Sequence, residues 1–400
     1  MRPIKSLISV KDALKICLDS IDHINEYEEV NLLNSAGRVL SLDITSPIDV
    51  PGFNRAAMDG YAVKAEDTFG ATKFNPSALK LIEKIYAGDI PKKSLNKGEC
   101  SEIATGAMIP GGADAIVIVE NTEIKGKDVF IFKPVYPWEN VSKKGSDIPK
   151  GTNIIKKGEV LAPPKIGAIA ALGIDRIKVF KKPVIGIFST GNEISEPGSP
   201  LEPGKIYNIN SYTLGAIVIE NGGIPEILPT LSDNRNDIRR VLNENRWNVI
   251  VFSGGSSVGE MDILMDVIEE MGEVLFHGIA IKPGKPTLLG RVNKKIVLGM
   301  PGHPTSCLSN GYIILAPMIR KIARLPEKEE RALRLPLGKR EVSTIGRHQF
   351  LTVKVEKGVA YPVFKESSDI SSMSDADGYI EIPENVDLME KGDIVEVKLF

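Results

Sequence analysis

Cysteine is scarce in this chain: three in 400 residues, Cys17, Cys100 and Cys307, far apart and odd in number. That argues against a disulfide framework or a cysteine-built zinc cluster and for a reducing compartment, with the cytoplasm as the expected location. Long apolar runs are missing as well. None approaches the roughly 18 residues a bilayer span needs, and the N-terminus lacks a signal-peptide core, so no membrane association is expected. Neither sign of charge dominates: Lys+Arg 50 against Asp+Glu 52 gives a net charge of -2. Without a global field there is nothing to gather nucleic acid, and any anion site must be local. The sequence holds no P-loop, no Gly-x-Gly-x-x-Gly and no His-Glu-x-x-His, which disfavours standard nucleotide hydrolysis, dinucleotide binding and zincin chemistry. The four histidines, His23, His277, His303 and His348, are scattered and read as local hydrogen-bonding groups. No elbow sequence offers a Ser–His–Asp triad.

What is present is organised around the stretch from Val249 to Ser306. An apolar run, Val249-Ile250-Val251-Phe252, breaks into Ser253-Gly254-Gly255-Ser256-Ser257-Val258-Gly259-Glu260-Met261-Asp262. A helical segment, Ile263 to Gly272, follows. A second apolar run leads into Ile281-Lys282-Pro283-Gly284-Lys285-Pro286-Thr287. A third, Lys295 to Gly299, leads into Met300-Pro301-Gly302-His303-Pro304-Thr305-Ser306. A short buried strand entering a small-residue turn, three times over, predicts an α/β sheet with its loops gathered at one rim, where ligands bind. Gly254, Gly255 and Gly259 let backbone N–H groups approach an anion, and a following helix adds its dipole. Pro283-Gly284 forbids a helix between Lys282 and Lys285, so these read as two fixed charges on one rigid turn. Glu260 and Asp262 add carboxylates suited to a divalent cation beside a phosphate. One such loop would be an ordinary turn; three together predict a site for an anionic ligand.

The length predicts about two to four domains. Residues 1 to 42 read as helical, with Ser9 as N-cap of the run starting at Val10. Pro47 and Pro51 mark a boundary. Residues 64 to 140 read as all-β, with apolar runs at Leu79–Tyr86, Ile116–Glu120 and Val129–Val135. Residues 141 to 180 return to mixed and helical character, with a helix from Ile166 to Leu172. An α/β region starts with Val184-Ile185-Gly186-Ile187-Phe188. After Leu325-Pro326, alternating β-type runs continue to Phe400. The fold class expected is multidomain α/β and β. A discontinuous N-terminal helical segment (1–45 and 141–180) carries an inserted β domain (46–140). A central α/β domain with Gly-rich rim loops (181–326) precedes a small, barrel-like C-terminal β domain (327–400).

Taken in order, the loops resemble the molybdopterin molybdenumtransferase family, which includes the C-terminal domain of gephyrin. The resemblance rests on Ala57-Met58-Asp59-Gly60-Tyr61-Ala62, Thr105-Gly106-Ala107, Gly145-Ser146-Asp147-Ile148 and Ser189-Thr190-Gly191-Asn192-Glu193. It continues through the Ser253–Glu260 loop, Lys282-Pro283-Gly284-Lys285-Pro286 and Pro301-Gly302-His303-Pro304-Thr305-Ser306. It implies insertion of molybdate, or tungstate, into adenylylated molybdopterin with release of AMP and a need for Mg²⁺. It further implies an elongated homodimer in which the α/β domain of one subunit faces the inserted β domain of the other, and raises contact with the molybdopterin adenylyltransferase. By position it makes Asp59, Thr105, Asp147, Glu193, Asp233 and Asp262 active-site polar residues, with Glu193 and Asp262 toward the metal. Gly254, Gly255, Ser256 and Gly259 would line the substrate, and Lys282, Lys285, Ser306, Arg347 and Ser371 would contact oxyanion or phosphate. Where the family commonly has Asp and Asn, this chain has Asn192 and His303. Two other readings stand beside it: the adenylyltransferase itself, which the α/β region alone also resembles, and a non-catalytic scaffold that keeps the fold. The individual residues also have plainer readings, Asp59 and Asp114 as turn formers and Asp233 as a helix cap.

Overall fold

The computed structural model describes residues 6–231, 234–254, 258–329 and 331–400, with the side chains of 258–260 outside the description. The chain forms two compact units. One comprises Met1–Glu28, Gly37–Val39 and Val179–Phe400; the other comprises Glu29–Ala36 and Leu40–Lys178.

At the centre of the larger unit lies a six-stranded sheet. Its strands run in the order Ile224–Leu231, Val184–Thr190, Val249–Gly254, Lys295–Met300, Leu288–Val292, Gly272–His277. The first four are parallel, and the last two run antiparallel to their neighbours. The parallel strands are apolar runs because both faces are covered. Ile250, Phe252 and Val297 pack against Ile238, Val241, Leu264 and Ile268 of the helices Arg235–Asn243 and Val258–Met271. Alternate residues, Ile185, Ile187, Val249 and Val251, are fully buried on the opposite face. Strand Val184–Thr190 connects forward to a neighbour on one side, while the chain then crosses to Val249–Gly254 on its other side. The order therefore reverses between Thr190 and Gly254, and such a switch point opens a crevice at the carboxyl ends of the strands.

The C-terminal strands form a second sheet. Ile281–Lys282, His348–Glu356, Gly378–Ile382, Ile394–Leu399 and Ala332–Pro336 lie in that order, and Val359–Pro362 also pairs with His348–Glu356. A bridge from Leu337 to Ala360 links the last strand back to Val359–Pro362, so the sheet curls into a barrel around Leu351, Val353, Ile380 and Val397. Ile281-Lys282 thus departs from the expectation. It is no strand of the α/β sheet but pairs with His348 and Gln349 in the barrel. Alternation could not reveal this, because a strand's partner is chosen by the tertiary fold.

The N-terminal expectation needs shortening. α-Helix covers Val10–Asp19, capped by Ser9, whose Oγ accepts from Asp12 N at 3.0 Å, and a 3-10 turn covers Leu32–Ser35. Tyr27–Asn31 is a strand, where Tyr27 and Val30 favour extended backbone. His23 Nδ1 meets Lys321 O at 2.6 Å, and Lys321 Nζ donates to Leu18 O at 2.6 Å, which fastens the first helix to Ala316–Ile322.

In the smaller unit the main sheet runs Ala115–Ile118, Gly60–Val63, Glu99–Ile103, Ser77–Ile85, Asp128–Ile131, Thr122–Lys125. Its core is Val63, Leu79, Cys100, Val117, Val129 and Ile131. Pro163–Ala171 is the helix of this unit expected near 166–172. Among the described residues no helix is long and apolar enough to cross a membrane.

Candidate active site

In the smaller unit, two of the expected site residues meet directly. Asp59 ends the bend before strand Gly60–Val63, and Thr105 follows strand Glu99–Ile103, paired to it with Gly60 opposite Ile103. Thr105 donates to Asp59 Oδ1 twice, from its backbone N at 2.7 Å and its hydroxyl at 2.9 Å. These two bonds hold the Asp59 carboxyl below its usual range, the backbone bond first. The plainer reading of Asp59 as a turn former is too small, since both donors come from a distant loop. Asp147 lies exposed on the neighbouring segment. Ala56 and Arg55 pair with Val141 and Ser142, Lys144 N donates to Asn54 Oδ1 at 2.8 Å, and Asp147 N donates to Val50 O at 3.1 Å. Asp114 ties its loop to the segment at Ala65: its Oδ1 accepts from Ala65 N at 2.7 Å.

In the larger unit the switch point is tightly built. Thr190 and Gly254 are opposite partners at the strand ends. Gly254 has φ +143°, and a Cβ there would stand 2.2 Å from Thr190 O. Glu193 follows on the next loop, its carboxylate folded against Gly191. Asp262 lies early in the helix that follows Gly254, and Gly259 lies in that helix's first turn. Burial depresses the His277 imidazole below its usual range, against the opposing pull of Asp262 and Glu269. A small void of about 10 Å³ beside Thr190 and Gly254 is lined by Phe252, Met261 and Leu264. Behind the Glu193 loop a polar network braces the rim. Ser189 Oγ bonds Asn208 Oδ1 at 2.9 Å and Ser211 Oγ at 2.8 Å, and Asn208 Nδ2 donates to Glu196 Oε1 at 3.0 Å. Asp233, Gly255 and Ser256 lie outside the described residues. The cap of helix Arg235–Asn243 is Asn234, whose Oδ1 accepts from Asn236 N and Asp237 N.

The lysine turn is anchored at both ends. Lys282 sits in the barrel sheet, its Nζ 3.4 Å from Thr344 Oγ1. It also lies near Glu341, whose carboxyl is pushed up by burial against the pull of Lys339 and Lys282. Arg347, half-buried, is on the same segment, its N donating to Thr344 O. Lys285 O accepts from Ile279 N and Thr287 N, closing the turn. Ser306 is 4 % exposed in helix Pro304–Asn310. Its neighbour Thr305 donates to Ser367 O from both N (3.2 Å) and Oγ1 (2.7 Å), while His303 Nδ1 meets Ser367 Oγ at 2.8 Å. The segment so held continues to Ser371, whose Oγ accepts from Lys365 Nζ at 3.4 Å.

Among the described residues no three His, Cys, Asp or Glu side chains converge as a metal cage. Glu193 and Asp262 nevertheless follow adjacent strands of the switch point. A pair of carboxylates suits Mg²⁺, a hard cation that keeps several waters and takes its remaining ligands from substrate phosphates.

The fold and rim define a class: a multidomain α/β protein whose parallel sheet has a topological switch point between Thr190 and Gly254. Residues 8–173 match the MoeA N-terminal region (domain I and II), residues 186–321 the "Probable molybdopterin binding domain", and residues 334–400 the MoeA C-terminal region (domain IV). The molybdopterin molybdenumtransferase of Bacillus subtilis is 34% identical, covering 94% of this chain and 90% of its own. The crystal structure of a molybdopterin biosynthesis moeA protein from Pyrococcus horikoshii has a TM-score of 0.85 at 42% identity, over 98% of this chain and 99% of that one. A second such structure from that organism has a TM-score of 0.83 at 32% identity, over 99% and 100%. The chain belongs to the molybdopterin molybdenumtransferase family.

Several residues around the site were not expected from the sequence: Glu196, Asn208, His277 and Asn310. Asn310 stands in a mixed stretch, Ser306-Cys307-Leu308-Ser309-Asn310-Gly311, that gives no local sign of its contact with Gly284. His277 carries no local mark either, because only strand pairing puts it at the rim.

Proposed function

We propose that this chain, a transferase of molybdenum cofactor biosynthesis, inserts the metal of molybdate into adenylylated molybdopterin and releases AMP. The observation that carries the reading is the pair Lys282 and Lys285 on one turn, closed by Ile279 N and Thr287 N on Lys285 O, in a chain matched along its length by the family. Breaking a phosphoanhydride-like bond calls for positioning and charge neutralisation more than for a covalent nucleophile. Lys282, Lys285, Ser306, Arg347 and Ser371 would hold the oxyanion by charge-assisted and hydroxyl hydrogen bonds. Thr190, Gly254 and Gly259 would border the pterin and its nucleotide, together with Gly255, Ser256 and Asp233. Glu193 and Asp262 would hold Mg²⁺, which supplies Lewis-acid polarisation of a phosphoryl oxygen. Asp59, kept ionised by Thr105, and Asp147 would complete the polar wall.

The reading includes a homodimer whose sites are shared between subunits, a four-part division of each chain near residues 45, 140, 180 and 326, and a cytoplasmic location. Three buried free thiols, Cys17, Cys100 and Cys307, agree with a reducing compartment. Contact with the adenylyltransferase that makes the substrate belongs to the same reading. The test is turnover: purified protein with adenylylated molybdopterin should release AMP only when molybdate or tungstate and Mg²⁺ are supplied. AMP release indifferent to the oxyanion, or consumption of ATP in its place, would overturn it.

A further inference from the structure

Asn310 lies one helical turn beyond Ser306 on helix Pro304–Asn310 and is fully buried. Its carboxamide reaches across to the lysine turn. Nδ2 donates to Gly284 O at 2.9 Å and to Thr287 Oγ1 at 2.5 Å. Thr287 Oγ1, itself buried, donates to Gly284 O at 2.9 Å. The packing is as close as the bonding. Gly284 has φ +115°, and a Cβ there would fall 2.6 Å from Asn310 Oδ1 and 2.7 Å from Nδ2. Residues 283 to 286 thus rest on the same helix that carries Ser306, through one amide.

From this we infer that Asn310 is a positioning residue for the oxyanion. It touches no reacting atom; it fixes the distance between Lys285 on the turn and Ser306 on the helix. Two buried hydrogen bonds to one turn constrain both its height and its rotation, and a charged donor contributes only where it is held at the right place. The inference rests on the oxyanion role proposed for Lys285 and Ser306, and deepens it.

The experiment compares Asn310→Ala, Asn310→Asp and Thr287→Val with Cys307→Ala, a buried change in the same helix that leaves the Asn310 bonds to Gly284 and Thr287 in place. Asn310→Asp keeps the shape and loses both donors. Thr287→Val keeps the packing and serves if the Asn310 variants fail to fold. The readouts are the KM for molybdate, the kcat at saturating molybdate, tungstate binding by calorimetry, and amide exchange of residues 278–288. The expected result is a rise of about tenfold in the molybdate KM and tungstate Kd with kcat little changed, together with faster exchange in the turn, in the Asn310 and Thr287 variants alone. Adding Lys285→Ala to Asn310→Ala should cost little more than either change, because a misplaced lysine has little left to lose. Unaltered oxyanion affinity in a folded variant, effects that multiply in the double variant, or an equal response of Cys307→Ala would overturn the inference. A wild-type protein that binds tungstate without turnover would defeat the functional reading alone, and the affinity comparison would still judge Asn310. A wild-type protein that neither turns over nor binds tungstate would defeat both.

Discussion

Thr190 and Gly254 end two neighbouring parallel strands so closely that a single methyl group at Gly254 would stand 2.2 Å from the Thr190 carbonyl oxygen. The crevice of the switch point opens from this contact. Gly254→Ala should force the strand ends apart and add strain at φ +143°, where an L side chain is disfavoured. We expect a loss of stability on the order of 1–3 kcal/mol, read by denaturant midpoint, and a loss of turnover larger than the fall in folded population. Full activity in Gly254→Ala would show that the rim tolerates rearrangement.

Lys285→Ala should weaken molybdate use about tenfold or more, since a charge-assisted hydrogen bond where water is partly excluded contributes roughly 1.5–3 kcal/mol. Lys285→Arg should recover only part of this, because a planar fork does not reproduce a compact ammonium. The melting temperature should hardly move. A folded Lys285→Ala enzyme with normal molybdate dependence would reduce this lysine to a surface charge.

Asp59 and Asp262 belong to different compact units and, in the proposed dimer, to sites shared between chains. Asp59→Asn and Asp262→Asn proteins should each be inactive as homodimers. Mixed, with subunit exchange confirmed by mass spectrometry, they should regain part of the activity, because one site in the heterodimer is intact. No recovery would place each site within one chain, and a monomer by light scattering would remove the shared site altogether.

Glu381, on barrel strand Gly378–Ile382, offers a pH test. Burial raises its carboxyl, but bonds from His348 Nε2 at 2.6 Å and Lys398 Nζ at 2.7 Å outweigh that and bring it down to about 2. A carboxyl depressed in the folded state adds stability that is fully present above its unfolded value, here 4.5, and is lost as pH falls from there toward 2. Glu381→Gln should lower stability at pH 7 by about 1–3 kcal/mol and flatten the acid limb between pH 4.5 and 2 in thermal melts. An unchanged acid limb would mean that other carboxylates govern it.

Legibility in the sequence tracked locality. Helix Val10–Asp19 could be placed by its Ser9 cap, and the parallel strands by their apolar runs, because capping and burial on two faces are written in adjacent residues. The loops after Thr190, Ser253 and Met300 were marked by small residues for the same reason. The extent of the first helix was overread, since apolar residues between Tyr27 and Leu33 suit a strand as well as a helix.

The sequence alone determined which chemical groups this protein offers: lysines on a proline-bounded turn, glycines at strand ends, carboxylates and hydroxyls in loops, and too few thiols or histidines for other chemistries. The tertiary structure decided which of them meet. It paired Thr105 with Asp59 across 46 positions, moved Ile281-Lys282 into the barrel, and set Asn310 against Gly284. Those contacts join residues far apart in the chain, and a hydrogen bond between distant residues exists only once strand order and helix packing have fixed both ends.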